Sequence, residues 1–273
     1  MSPREARARG AVGRVRLVGV ALWLAAVATL PAQGPPGGPP GPPRSPRAAA
    51  PVDLTGYWVS VIAEDWRWRM VTPLKGDSAS VPITPEARKL VDAWDPAKDD
   101  AAGLACKAYG AAGLMRLPGR VHITWQDDTT LKLETDAGTQ TRLFRFGGTP
   151  PPTEKPSWQG YSVANWERPP ATPGAPPTLP IFATRIGTRG RALEVTTSNL
   201  RPGYLRKNGV PYGDKASLTE YYDYFKEPNG DEWFTVTTIV RDPQYLSGPF
   251  ITSSDFKKEP DGSKWRPTPC TAR

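Results

Sequence analysis

Apolar and polar residues alternate one for one in three short runs between positions 117 and 146, LPGRVHITWQDDTTLKLETDAGTQTRLFRF. Asp127-Asp128 and Asp136-Ala137-Gly138 separate the runs. Successive side chains on a pleated strand point to opposite faces, so this pattern predicts an antiparallel three-stranded meander. Two-residue turns would place His122, Thr124, Leu131, Leu133, Arg142 and Phe144 on one face. Val121, Ile123, Trp125, Lys132, Glu134, Leu143 and Arg145 would then share the other, and a slip of one residue in either turn exchanges the faces. Neither face is wholly apolar. A sheet that mixes Leu and Phe with a guanidinium and an imidazole fits the lining of a barrel or cleft better than a dry sandwich core.

The same alternation recurs along the chain. Residues 56–63 (GYWVSVIA) and 66–71 (WRWRMV) predict strands, the second with Trp66 and Trp68 on one face and Arg67 and Arg69 opposite. Further strands are predicted at 158–166, 192–198, 217–225, 233–240 and 250–256, with Asn229-Gly230 closing a hairpin between two of them. One helix stands out. Thr84 supplies a hydroxyl cap, Pro85 opens the first turn and Glu86 places an acid there, which predicts a helix from Pro85 to about Trp94. Residues 98–119 are rich in Gly and Ala and read as irregular, and 168–180 (RPPATPGAPPTLP) form a proline loop that no sheet interior accepts. About ten strands with short turns and one short helix predict an all-β domain, either a sandwich or a closed barrel.

Charge changes this picture mainly at the N-terminus. The formal charge is +8, but residues 1–50 hold seven Arg and one Glu, or +6, leaving 28 basic and 26 acidic residues, or +2, in the rest. A near-neutral body lacks the concentrated basic footprint that nucleic acid demands. The early arginines precede an apolar run, LVGVALWLAAVATL, with Ala32 as a small residue after it. This predicts a cleaved secretory leader over 1–33 and a periplasmic or secreted protein. The run is shorter than the roughly 20 residues needed to span a bilayer, so no stable span is expected after cleavage. Residues 34–51 (GPPGGPPGPPRSPRAAAP) form a Pro/Gly tether, and 52–273 form a single domain. Cys106 and Cys270 both fall in the exported part, where an even count points to one disulfide, with two buried free thiols as the alternative.

The chain resembles a broad group of uncharacterised exported bacterial proteins with a lipocalin-like, calycin-type β-barrel. The residues that carry the resemblance begin with Asp53-Leu54-Thr55-Gly56-Tyr57-Trp58 and the Cys106 segment leading to Met115 and Pro118. They continue with Trp158-x-Gly160-x-Ser162-x-x-x-Trp166-Glu167, Leu193-x-Val195-x-Thr197 and Asn208-Gly209-x-Pro211. Glu220-x-Tyr222, Asp242-Pro243-x-Tyr245 and the late Cys270 complete it, so that nearly the whole exported domain is covered in order. The resemblance implies an antiparallel up-and-down barrel and no activity. The proline-rich insert around 168–189 departs from it by its length.

Candidate chemistry is sparse. His122 is the single histidine, so no multi-histidine metal site is expected, and no cofactor. Glu64-Asp65 is an adjacent carboxylate pair whose members point apart on a strand unless the chain bends there. Gly160-Tyr161-Ser162 lacks the glycine that a nucleophile elbow needs two residues after the serine. Asp127-Asp128 and Asp136 read as turn formers. The set that holds together chemically is Arg69, His122, Arg142, Trp158, Tyr161 and Tyr222. Facing inward, these residues would form an aromatic pocket with one or two cations for a small amphipathic or aromatic molecule. A lyase, hydratase or isomerase with His122 or Tyr222 as proton shuttle and Arg142 holding an oxyanion is the alternative. A filled barrel of structural role is the third reading.

Overall fold

The computed structural model describes residues 44–151, 153–167 and 192–273. The expected leader, the first part of the expected tether and the expected proline loop at 168–180 lie outside the described residues. Alternating segments form β1 (Gly56–Val61), β2 (Arg120–Trp125), β3 (Thr130–Thr135), β4 (Thr141–Phe146), β5 (Tyr161–Trp166) and β6 (Leu193–Ser198). They are followed by β7 (Gly203–Arg206), β8 (Val210–Tyr212), β9 (Ser217–Lys226), β10 (Glu232–Arg241) and β11 (Phe250–Glu259). Nine of the strands close a barrel in the order β1-β11-β10-β9-β6-β5-β4-β3-β2, while β7 and β8 pair separately as a hairpin. The all-β closed barrel is therefore as expected, with one difference in pairing. β4 and β5 run parallel, which obliges residues 147–160 to carry the chain back along the barrel, starting through Gly147 and Gly148 at positive φ.

The meander shows where the register argument holds. β3 and β4 pair Leu131 with Phe144 and Leu133 with Arg142, as predicted. β2 and β3 do not follow the two-residue turn. Gln126 N–H donates to Thr130 O and Asp127 caps the Thr129 N–H, so the turn takes four residues and Trp125 pairs with Leu131. That shift of one residue sends Val121 and Ile123 inward and His122 outward, which corrects the predicted face of His122.

One barrel end carries two long excursions, residues 62–119 between β1 and β2 and residues 199–216 between β6 and β9. They hold α1 (Trp66–Arg69), α2 (Pro85–Ala93), α3 (Pro96–Ala101), a 3-10 turn (Ala105–Tyr109) and α4 (Ala111–Leu114), together with the β7-β8 hairpin. α2 starts as predicted, with Thr84 Oγ1 accepting from Ala87 N–H. α3 repeats that chemistry with Asp95 and Pro96 and runs into the stretch from 98 that had read as irregular. The predicted strand at 66–71 is instead the short α1. Asp65 takes φ 54, and its carbonyl accepts from Trp68 and Arg69 N–H, so the chain turns where the alternation alone would keep it extended.

Two large apolar cores result, with a small third cluster of Ala108, Tyr109 and Leu114 beside them. Trp58, Ile123, Leu133, Phe144, Tyr222, Phe234 and Phe256 fill the barrel, while Val91, Leu205, Val210, Tyr212, Leu218 and Phe250 join the cap to the barrel end. At the opposite end Trp125, Phe146, Trp166 and Tyr224 rim the core, and Trp166 Nε1 donates to Pro46 O, so the last part of the tether packs there. After β11 the chain returns along the outer wall, where Trp265 meets Tyr57, and ends with Cys270 bonded to Cys106. That disulfide spans 164 residues of sequence. A loop of that length is worth about 5 kcal/mol in the chain-entropy model, before any strain. No helix among the described residues is long and apolar enough to cross a membrane.

Candidate functional site

Arg142 and Tyr222 come together inside the barrel, where both meet the Glu220 carboxylate. Arg142 Nη1 donates to Glu220 Oε1 at 2.8 Å, Nη2 donates to Glu220 Oε2, and both side chains are fully buried. Thr197 Oγ1 takes a further bond from Nη2 and meets Ser162 Oγ at 2.8 Å. Tyr222 O–H donates to the same carboxylate, and Phe144 lies under the guanidinium. Burial pulls the Arg142 pKa down, yet the Glu220 carboxylate outweighs it and holds the guanidinium protonated above its ordinary range. Burial, then the neighbouring Glu220, pushes the Tyr222 phenol well above its usual value. The interior cation is matched in charge and through both Nη groups by Glu220 and Thr197, although its Nε has no partner among the described residues.

The other predicted residues lie elsewhere. His122 stacks flat on Tyr57 at 4.0 Å on the outer wall, with Glu134 Oε2 3.6 Å from its Nδ1. Burial lowers its pKa by more than Glu134 raises it. His122 and Arg142 therefore sit on opposite faces of the wall and do not meet, whereas Tyr222, the other expected proton shuttle, lies beside Arg142 with Glu220 between them. Tyr161 is packed under Arg145 on the outside. Trp158 donates from Nε1 to Pro202 O and carries Arg201 on its ring. Ser162 faces Thr197 and no histidine. Asp127 and Asp136 accept backbone N–H bonds at turns, as expected of turn formers.

Arg69 belongs to a different cluster, in the cap. The Asp65 bend brings the Glu64 and Asp65 carboxylates to two arginines: Glu64 meets Arg69, and Asp65 meets Arg116 Nη2 at 2.9 Å. Arg69 Nε also donates to Arg116 O. From the hairpin, Arg206 donates to Ala79 O and lies between Trp68 and Phe250. Arg69, Arg116 and Arg206 are 6%, 6% and 4% exposed. All three line a pocket of about 180 Å³ with Trp68, Met70, Val71, Gly113, Leu205 and Lys207. Four of their nitrogens, Arg69 Nη2, Arg116 Nη1, and Arg206 Nε and Nη2, have no hydrogen-bond partner among the described residues. Burial, aggravated by the Arg116 charge, lowers the Arg206 pKa to about 10, and Arg69 is lowered for the same two reasons despite Glu64.

Two of the three guanidinium groups thus have a paired carboxylate, Arg206 has none, and Asp77 and Asp255 attract the cluster only from farther away. Guanidinium presents five N–H donors and no acceptor, so an oxyanion is the complement this arrangement lacks. A carboxylate or phosphate placed there would gain charge-assisted, two-pronged bonds away from bulk water. No group of three or more potential metal-ligating side chains gathers among the described residues.

No family model, curated protein or solved structure matches this chain. The site must be argued from its own geometry. Two of its members were missed in the sequence: Arg116 lay in a stretch read as irregular, and Arg206 in a hairpin that the alternation does not reveal. Glu220 could have been found, because it keeps period-two step with Leu218 and Tyr222 and so had to face the core.

Proposed function

We propose that this protein is an exported binding protein that holds a small amphipathic molecule by its acid group in the three-arginine pocket of the cap. The observation that carries this reading is the set of buried guanidinium nitrogens without acceptors on three side chains that line one pocket. A buried charge with unmet donors costs several kcal/mol unless something completes it, and an oxyanion does so. The apolar part of the ligand has Trp68, Leu205 and Val71 to lie against. The same reasoning favours the cap over the barrel interior, where Glu220 already occupies Arg142. Export is supported by the arginine-led apolar run at the N-terminus and by the Cys106–Cys270 bond, which suits an oxidising compartment.

Calorimetric titration with hexyl phosphate and with octanoate tests the proposal. Saturable binding of either, weakened by an Arg116→Gln substitution, is the expected result. Absence of saturable heat with both ligands at millimolar concentration would overturn it.

A further inference from the structure

Seven large apolar side chains are conspicuously exposed among the described residues, and four of them fall within nine positions: Trp66, Met70, Val71 and Leu74. Trp66 is 64% exposed, Met70 60%, Val71 65% and Leu74 77%. Scattered apolar residues on a surface need no explanation, but a contiguous group does. Two of these four, Met70 and Val71, line the mouth of the arginine pocket, and Met70 N–H closes the turn onto Trp66 O. The apolar loop and the buried cations are parts of one feature.

Charge decides what such a surface fits. Arg67 and Lys75 are exposed on the same loop, and Lys207 lines the pocket. The loop's acids are already engaged: Glu64 by Arg69, Asp65 by Arg116, and Asp77 by Arg67 and the Trp68 indole N–H. What remains outward is apolar and basic. Trp, Met, Val and Leu beside Arg and Lys are the chemistry of a segment that sits in the interface of an anionic bilayer, with rings at headgroup depth and cations toward the phosphates. A protein partner would have to bring an apolar face and a protruding carboxylate together in the right places, whereas an anionic lipid supplies the apolar layer and the phosphate at once.

We infer that the cap docks on an anionic lipid surface through Trp66, Met70, Val71 and Leu74, and that the three-arginine pocket takes the phosphate of a lipid headgroup from that surface. This rests on the proposed anion site and names its ligand class. In this arrangement the loop enters the headgroup layer and brings the pocket mouth level with the phosphates, so the ligand is captured without crossing water.

Vesicle co-sedimentation of the full exported chain tests the inference, using phosphatidylcholine alone and phosphatidylcholine with roughly one part in four phosphatidylglycerol. The wild type is expected to pellet with the anionic vesicles and far less with the neutral ones. A Trp66→Ser/Leu74→Ser double variant, at two exposed positions outside the pocket lining, is expected to lose about tenfold or more in vesicle affinity. It is expected to bind hexyl phosphate like the wild type. Leu74→Asp is the companion variant should the double one fold poorly. Wild type that binds hexyl phosphate but no vesicles, or variants that bind vesicles undiminished, overturn the docking and leave the anion site standing. Equal binding to neutral and anionic vesicles overturns the assignment to an anionic surface, because phosphatidylcholine also carries a phosphate. Binding of neither vesicles nor hexyl phosphate removes both. If sedimentation instead shows the wild type paired with a second copy through Trp66 and Leu74, with no vesicle binding, the loop is a protein interface and the inference fails.

Discussion

The barrel interior and the cap each bury arginine, and they do it in opposite ways. Inside the barrel, Arg142 faces one carboxylate held by the next strand but two, both are fully buried, and both Nη atoms are bonded. In the cap, Arg69, Arg116 and Arg206 crowd around two carboxylates, and four nitrogens lack partners among the described residues. A matched buried pair serves structure, because the Coulomb gain and hydrogen bonds offset desolvation on both sides. An unmatched cluster costs stability and gains it back only when an anion arrives. The contrast separates a structural arginine from a binding one on geometry, though both kinds are buried.

The largest expected effect is inside the barrel. Arg142→Met alone leaves Glu220 charged and buried, and urea denaturation should show a loss of about 3–5 kcal/mol. Adding Glu220→Leu to it should recover most of that loss, since an apolar pair of similar volume replaces a buried ion pair at little cost. A double variant as unstable as the single one would mean that the pair is not matched as described.

The disulfide comes next. Cys106→Ala/Cys270→Ala should lower stability by about 2–5 kcal/mol. The loss should appear first in the cap and the C-terminal tail, as faster amide exchange at Tyr109 and Thr271, whose side chains bond one another. Exchange that accelerates equally in the barrel strands would show the two regions to be one cooperative unit.

Arg206→Met sharpens the contrast from the other side. It removes a buried cation with two unmet nitrogens and loses one bond to Ala79 O, so its stability in buffer should lie within about 1 kcal/mol of the wild type. The smallest effect is at His122. Its pKa lies below the ordinary 6.5 because the outer wall and tail bury it. The folded state therefore binds the proton less readily than the unfolded one. A small stability loss should begin as pH falls below about 6.5 and be complete once pH passes the folded value. An NMR titration of His122 with a midpoint above 6.5 would contradict this.

Much of the fold was legible in the chain, and the exceptions have physical reasons. Strand alternation located the barrel strands because one face of each is buried, and Thr84-Pro85 announced α2 by its cap. Leu131, Leu133, Arg142 and Phe144 fell on one face as read, because the loop at Asp136 kept the assumed register. His122 did not, because Asp127 caps a four-residue turn and the shift of one residue exchanged the faces of β2. The hairpin of β7 and β8 escaped because its strands are short, turn on Gly209 at positive φ and lie against the cap instead of in the barrel. The arginine cluster escaped for a deeper reason. Its other members are 47 and 137 residues beyond Arg69 in sequence, and only the bend at Asp65 and the folding of both excursions onto one barrel end bring them together.

Paired denaturation curves of the wild type and Arg206→Met, with and without hexyl phosphate, test the central claim most directly. The account predicts that the two proteins are nearly equal in buffer, that the ligand stabilises the wild type in proportion to the logarithm of its concentration, and that it leaves Arg206→Met nearly unmoved. An Arg206→Met protein that loses several kcal/mol in buffer, or that gains as much from hexyl phosphate as the wild type does, would contradict it.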